Sequence, residues 1–252
     1  MNTANRKIFF GNGLPYADVS DLTGKLIVIE GTDGVGRSTQ IAELRKWLEI
    51  KGYGVTTTGL GRSPLMSDAI DNAKAGHKLN VYTFSLLYLA DFADRIEHEI
   101  IPALKAGFIV LADRYIYTAF ARAVVRGADR DWIRAAYGFA LEPDAVIYMR
   151  IGIRDLIPRV INSDDLGEGY WRTASDGVID YWESGMDMRL GDDFYDSFVR
   201  YQRRITAEFD AMAQEFGFTV VDASKKFETV HRQMKDTILG ILEPPAPAAP
   251  AA

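Results

Sequence analysis

Apolar runs of four or five residues recur along the chain, separated by longer stretches whose apolar positions return every three or four residues. Leu26-Ile27-Val28-Ile29 is the first such run, and its unbroken apolar character predicts a strand buried on both faces, as at the centre of a parallel sheet. Phe108-Ile109-Val110-Leu111-Ala112 and Ala145-Val146-Ile147-Tyr148-Met149 read the same way. Val55-Thr56-Thr57-Thr58 and Phe218-Thr219-Val220-Val221 are shorter predicted strands. The first predicted helix runs from about Ser38 to Lys51, with Ile41, Leu44, Trp47 and Leu48 on one face, and Gly52 and Gly54 stop it. A long helical stretch covers Tyr82 to Lys105, interrupted near Pro102 and ended by Gly107. Helices are also predicted over Tyr115–Arg126, Trp132–Phe139, Phe194–Phe216 and Glu228–Leu242.

Strands that alternate with helices predict an α/β fold of three layers, a central parallel sheet with helices on both faces. No internal repeat and no long linker divides the chain, so residues 1–242 are expected to form a single domain. Residues 1–24 read as an irregular lead-in punctuated by Gly11, Gly13, Pro15 and Gly24, pinned to the surface by Phe9, Phe10 and Tyr16. Residues 243–252 are almost entirely Pro and Ala, a tail with no means of packing.

Composition narrows the chemistry. The chain of 252 residues has no cysteine, which excludes disulfides, thiolate metal sites and cysteine nucleophiles. His77, His98 and His231 are the only imidazoles, and none has a partner at metal-ligand spacing. A formal charge of −6 argues against a nucleic acid polymer as partner while leaving room for a local basic pocket. No apolar stretch reaches the roughly 18 residues of a membrane-spanning helix, and no signal peptide is visible at the N-terminus. A cytoplasmic protein that does not engage membranes is therefore expected.

The most informative segment follows the first strand at once: Gly31-Thr32-Asp33-Gly34-Val35-Gly36-Arg37-Ser38-Thr39. A glycine-rich loop between a buried strand and a helix is the context of the phosphate-binding pattern G-x-x-x-x-G-K-[ST]. Gly31, Gly34 and Gly36 let the backbone approach a phosphate chain, so that successive N–H groups and the helix dipole face the anion. Ser38 offers a hydroxyl to Mg²⁺. Arg37 stands where the pattern has lysine, which keeps the charge but exchanges a compact ammonium for a planar fork.

The strand ending at Ala112 runs into Asp113-Arg114-Tyr115. Ligands of open parallel sheets bind beyond the carboxyl ends of the strands, where the glycine loop also lies. Asp113 is placed to support the Mg²⁺ water shell, and Arg114 to grip an acceptor phosphate.

These residues carry a resemblance. The chain resembles the thymidylate kinase family of P-loop nucleoside monophosphate kinases. The matching stretches are Leu26 to Gly34, Ile100-Ile101-Pro102-Ala103-Leu104-Lys105-Ala106-Gly107, Asp113-Arg114-Tyr115, Pro143 to Tyr148 and Val221-Asp222-Ala223-Ser224. The resemblance spans about residues 24 to 240 and is most specific in the Gly-x-Asp-Gly loop and the Asp-Arg-Tyr triplet. It implies a P-loop kinase fold with a lid, ATP as donor with Mg²⁺, dTMP as first-choice acceptor, and a homodimer. Asp33 is implied near the acceptor sugar and the metal, Arg114 on the acceptor phosphate, and Tyr88 stacked on the acceptor base. Asp222, Ala223 and Ser224 are implied along the adenine.

The departures cluster on the acceptor side. Phe92 follows Asp91 where the family has an arginine, leaving Arg95 as the candidate replacement on nearly the same helix face. Arg62 stands in for the arginine of the family's Arg-Glu-Pro-Gly stretch, and Arg122 occupies the position of a base-contacting tyrosine. Residues 162–196 fall where the lid belongs, with ten Asp or Glu against Arg172 and Arg189. A lid arginine is implied to offset charge on the transferring phosphoryl group, with Arg154, Arg159, Arg172 and Arg189 as candidates and Arg172 the foremost. Tyr170, Trp171, Tyr181 and Trp182 are read first as packing residues. Two alternatives stay open at this point: kinase chemistry on a different phosphorylated small molecule, and a nucleotide-binding regulator with weak catalysis, the latter motivated by Arg37.

Overall fold

Strand β1 (Lys25–Glu30) lies at the centre of a five-stranded sheet of order β2-β3-β1-β4-β5. Its neighbours are β3 (Ile109–Asp113) and β4 (Ala145–Arg150), with β2 (Val55–Gly59) and β5 (Thr219–Asp222) at the edges. Every pairing is parallel, and Ile29 stands opposite both Asp113 and Ile147. The computed structural model describes residues 7–76, 80–161, 182 and 184–242.

The apolar runs alternate between two cores, as the pleat requires. Leu26 and Val28 face one side with Val110, Ala112, Val146 and Tyr148. Ile27 and Ile29 face the other with Ile109, Leu111, Ile147 and Met149. Helices α1 (Arg37–Ile50), α7 (Ile153–Ile161) and α9 (Phe227–Leu242) cover the second face through Leu44, Leu48, Leu156, Val160, Met234 and Ile238. Helices α3 (Val81–Arg95), α5 (Ile116–Val125) and α8 (Phe194–Phe216) cover the first through Phe92, Phe120, Tyr201, Ile205 and Phe209. This is the three-layer arrangement that the alternation predicted.

Two short helices, α2 (Ser67–Gly76) and α7, were not anticipated. α7 holds Pro158 in its interior, although Ile153, Leu156, Ile157 and Val160 follow the helical spacing. The long stretch from Tyr82 also differs in detail. It continues from α3 through a π-helical segment, Ile96–Ile100, into α4 (Ile101–Lys105), with α6 (Arg130–Ala136) following α5. The irregularity thus precedes Pro102, which sits in the first turn of α4, where its missing N–H costs least.

In the lead-in, Phe9 bridges Leu141 and Phe10 packs its ring on Phe120 and Phe216. Tyr16 does not pin it; the ring is exposed and only its hydroxyl donates to Glu97. Of the predicted lid, Arg172, Tyr170, Trp171 and Tyr181 lie outside the described residues, as does the tail 243–252. No helix among the described residues is long and apolar enough to cross a membrane.

Candidate active site

The carboxyl ends of β1, β2 and β3 converge on one cluster of charge. Gly31, Gly34 and Gly36 have φ of 148°, 74° and 94°, the region open to glycine. A Cβ on Gly34 would also stand 2.6 Å from the Val160 side chain on α7. The loop therefore packs under α7, where Arg159 donates to the Val35 carbonyl at 3.4 Å. Gly36 precedes the first turn of α1, with nothing within 4 Å of where its Cβ would lie. The N-terminus of α1 opens there toward free space, as an anion requires.

Arg37 does not face that space. Its Nε donates to Asp113 at 2.8 Å, and its Nη1 donates to the carbonyls of Gly31 and Thr32 at 2.6 and 2.5 Å. Nη2 lies 3.6 Å from Asp33. Arg62 reaches the second oxygen of Asp113 at 3.2 Å from the end of β2. Arg114 donates to Asp33, and Arg122 stands 3.9 Å from it. Four guanidinium groups thus gather around the two carboxylates of Asp33 and Asp113. Burial pushes the Asp113 carboxyl up, but Arg37, Arg114 and Arg62 outweigh it and hold the group below its usual range. It is ionised at neutral pH.

Arg114 has φ 69°, a left-handed conformation uncommon for a residue with a side chain. Glu30 stabilises the turn that follows. It is fully buried, and it accepts from Tyr115 N–H at 2.9 Å, Thr118 N–H at 3.2 Å and the Thr118 hydroxyl at 2.5 Å. It thereby takes up the orphan amide groups at the start of α5. Burial holds the Glu30 carboxyl above its usual range despite these bonds and the nearby Arg37 and Arg114.

Beyond Arg122 lies a pocket lined by Leu60, Phe84, Ser85, Tyr88, Ala119 and Tyr137, among others. Arg122 belongs both to this apolar pocket and to the polar one beside Asp33, Arg114 and Gly31. Tyr88 thus shares one pocket with Arg122, and Asp33 and Arg114 share the other with it. Ser38, Arg62 and Asp113 line a wider groove between α1 and β2. Asp222, Ala223 and Ser224 form a turn at the carboxyl end of β5, where Asp222 accepts from the Ser224 amide and hydroxyl. They lie on the same edge of the sheet as the glycine loop, two strands away.

Arg95 is a correction. It does not reach the pocket: its side chain is fully buried, with Nε on Asp91 at 2.9 Å and Nη1 on the Thr58 hydroxyl at 3.1 Å. Phe92 is core, packed on Tyr115, Tyr137 and Phe139. Asp91 in turn accepts from the amides of Gly61 and Ser63, which fixes the loop carrying Arg62.

Arg126 was missed. Its fork grips Asp187, donates to Tyr201 Oη at 2.8 Å and to the Trp182 carbonyl, and lies over the Tyr201 ring. Trp182 stacks on Phe84 at 4.6 Å, and Phe84 meets Tyr88 edge-on at 5.0 Å, so the pocket wall rests on this arginine. The one signal in the sequence was its position one helical turn beyond Arg122, at the C-cap of α5.

The described residues offer oxygen donors that suit Mg²⁺, Ser38 and Asp113 on one groove, and a buried Thr32 hydroxyl without a protein partner among the glycine-loop residues. The loop, the helix end and the arginines fit a polyphosphate.

Comparison with known proteins gives the family. The family model for thymidylate kinase matches residues 29–168. A protein of Saccharolobus solfataricus named "Probable thymidylate kinase 2" is 36% identical over 220 residues, which covers 87% of this chain and 97% of that protein. A "Probable thymidylate kinase" of Thermococcus gammatolerans is 28% identical over 230 residues, covering 87% and 96% respectively. "Thymidylate kinase" of Akkermansia muciniphila is 36% identical over 140 residues, 55% of this chain and 68% of its own.

Proposed function

The chain belongs to the thymidylate kinase family, and on that premise we propose that it transfers the terminal phosphoryl group of ATP to dTMP, giving ADP and dTDP. The observation that carries the reading is the junction at Arg122, the side chain shared by an aromatic-walled pocket and the polar pocket beside Asp33 and Arg114. A nucleoside monophosphate needs that juxtaposition, an apolar slot for the base beside fixed positive charge for the phosphate.

The glycine loop Gly31 to Thr39 holds the donor phosphates on its amides, with the turn Asp222-Ala223-Ser224 bordering the adenine. Tyr88 forms a face of the base slot. Arg114 and Arg122 hold the acceptor phosphate, with Arg62 on the open side of the cluster. Asp33, held by Arg114, directs the sugar. Ser38 and Asp113 hold Mg²⁺, which neutralises developing charge on the phosphates. The protein's task is positioning, because in-line phosphoryl transfer asks for little covalent chemistry from side chains. A lid arginine, Arg172 foremost, completes the charge balance in this reading. The same reading expects a cytoplasmic homodimer.

Steady-state assays with ATP, Mg²⁺ and a panel of nucleoside monophosphates test the proposal. The expected outcome is turnover of at least about 1 per second with dTMP, well above that with other monophosphates. No turnover with dTMP, or a clear preference for another acceptor, would overturn it.

A further inference from the structure

The lysine of a phosphate loop is replaced here by an arginine whose Nε and Nη1 are already engaged by the protein, with Nη2 3.6 Å from Asp33. A guanidinium has five N–H groups and no acceptor. In Arg37 the Nε hydrogen goes to Asp113, Nη1 serves the Gly31 and Thr32 carbonyls, and Nη2 turns toward Asp33. The side chain is 8% exposed. These acceptors have a common meaning. A loop that points its amides at a phosphate must point carbonyls away from it, and carbonyls turned into the protein need donors. Arg37 supplies them for Gly31 and Thr32, and the same plane orients Asp113.

We propose that Arg37 is a positioning residue and not a phosphate ligand: a strut that holds the loop carbonyls inward and fixes Asp113 beside the metal position. The countercharge that a lysine would bring to the phosphates comes instead from Arg114, Arg122 and Arg62. The inference rests on the phosphoryl-transfer reading for the identity of the ligand, and on the hydrogen bonds alone for the role of Arg37. It carries an unusual consequence. A lysine ammonium would end near the position of the guanidinium carbon, about 1.3 Å short of each terminal nitrogen, one C–N bond. It would leave the strut's acceptors underserved, so restoring the family's own residue is expected to harm this enzyme.

Two measurements test this. In full-length protein labelled with ¹⁵N-arginine, the Arg37 Nε–H resonance is assigned through its own backbone amide. It is expected to exchange slowly with solvent in the free protein and to keep its position when ADP is added, with or without Mg²⁺. Fast exchange in the free protein, or a large displacement by ADP in the absence of Mg²⁺, would overturn the strut. Arg37→Lys is expected to lower kcat about tenfold or more and to raise the Mg²⁺ concentration for half-maximal rate, while ATP KM stays within about threefold. A lysine variant as active as the wild type would also overturn the proposal. The resonance experiment involves no acceptor, so an error about dTMP would leave it standing and would show only in the panel of monophosphates.

Discussion

Glu30 ends the central strand with no exposed surface, and its three accepted hydrogen bonds hold the backbone just after Arg114. Its charge is expensive, because burial outweighs those bonds and keeps the carboxyl above its ordinary range. A carboxyl raised in the folded state contributes stability while protonated and loses that contribution as pH rises through the folded value. Glu30→Gln is close to the protonated shape. The variant is therefore expected to gain in thermal stability relative to the wild type as pH rises from acid to neutral, with the gap closing below the usual carboxylate range. A parallel offset in Tm across that range would refute the linkage. Any negative charge the change removes faces Arg37 and Arg114, so their field on an acceptor phosphate is not weakened, and acceptor KM is expected to hold or fall. At this scale the sequence was legible where local geometry restricts residue type. Gly34 is glycine because of its backbone angle and Val160, and Asp113 and Arg114 were found from their place after a strand. Glu30 and Arg126 were not found, since their partners lie 85 to 88 and 56 to 75 residues away and leave no periodic trace.

Helix α3 illustrates why elements were easier to read than their duties. Its apolar spacing announced a helix, yet spacing alone could not tell Arg95 facing the pocket from Arg95 buried on Asp91. The π-helical segment that follows changes the phase between α3 and α4, and no period of 3.6 residues reports such a change. α7 was hidden by Pro158, whose presence argued against a helix that packing of Leu156 and Val160 nevertheless maintains. The Asp91–Arg95 pair ties α3 to β2 through Thr58 and to the Arg62 loop through the amides of Gly61 and Ser63. Asp91→Ala leaves a buried guanidinium without its carboxylate, which is expected to cost about 3–5 kcal/mol in chemical denaturation. Replacing both, as Asp91→Leu with Arg95→Met, removes the stranded charge and is expected to restore part of that stability. It does not restore the acceptors for Gly61 and Ser63, so acceptor KM stays elevated in the double variant. Full recovery of acceptor KM in the double variant would show that Asp91 does not organise the Arg62 loop.

At the scale of the whole molecule, α3 has two faces with different partners. Phe84, Tyr88, Asp91, Phe92 and Arg95 are buried inward, toward the base pocket and the core. The outward face carries Leu86, half exposed at 50%, with the partly buried Ala90 and Ala93 following at helical spacing and the exposed Tyr82 one turn before. Leu65 adds a second exposed apolar side chain at 72%. An apolar stripe on a solvent-facing helix is what a self-complementary contact between two copies requires, and it supports the homodimer proposed above. The wild type is expected to sediment at twice the chain mass of 28.1 kDa, and Leu86→Glu, which places a carboxylate in the centre of the stripe, to sediment as a monomer. Because the opposite face of the same helix carries Tyr88, which lines the pocket proposed for the acceptor base, loss of the partner is expected to raise acceptor KM severalfold while ATP KM holds. A wild type that sediments as a monomer would overturn the homodimer, and a Leu86→Glu dimer of undiminished affinity would move the contact elsewhere. A monomer with unchanged acceptor KM would instead separate assembly from the base pocket, and show that the inward face of α3 is held by Phe84, Trp182 and Arg126 without help from a second copy.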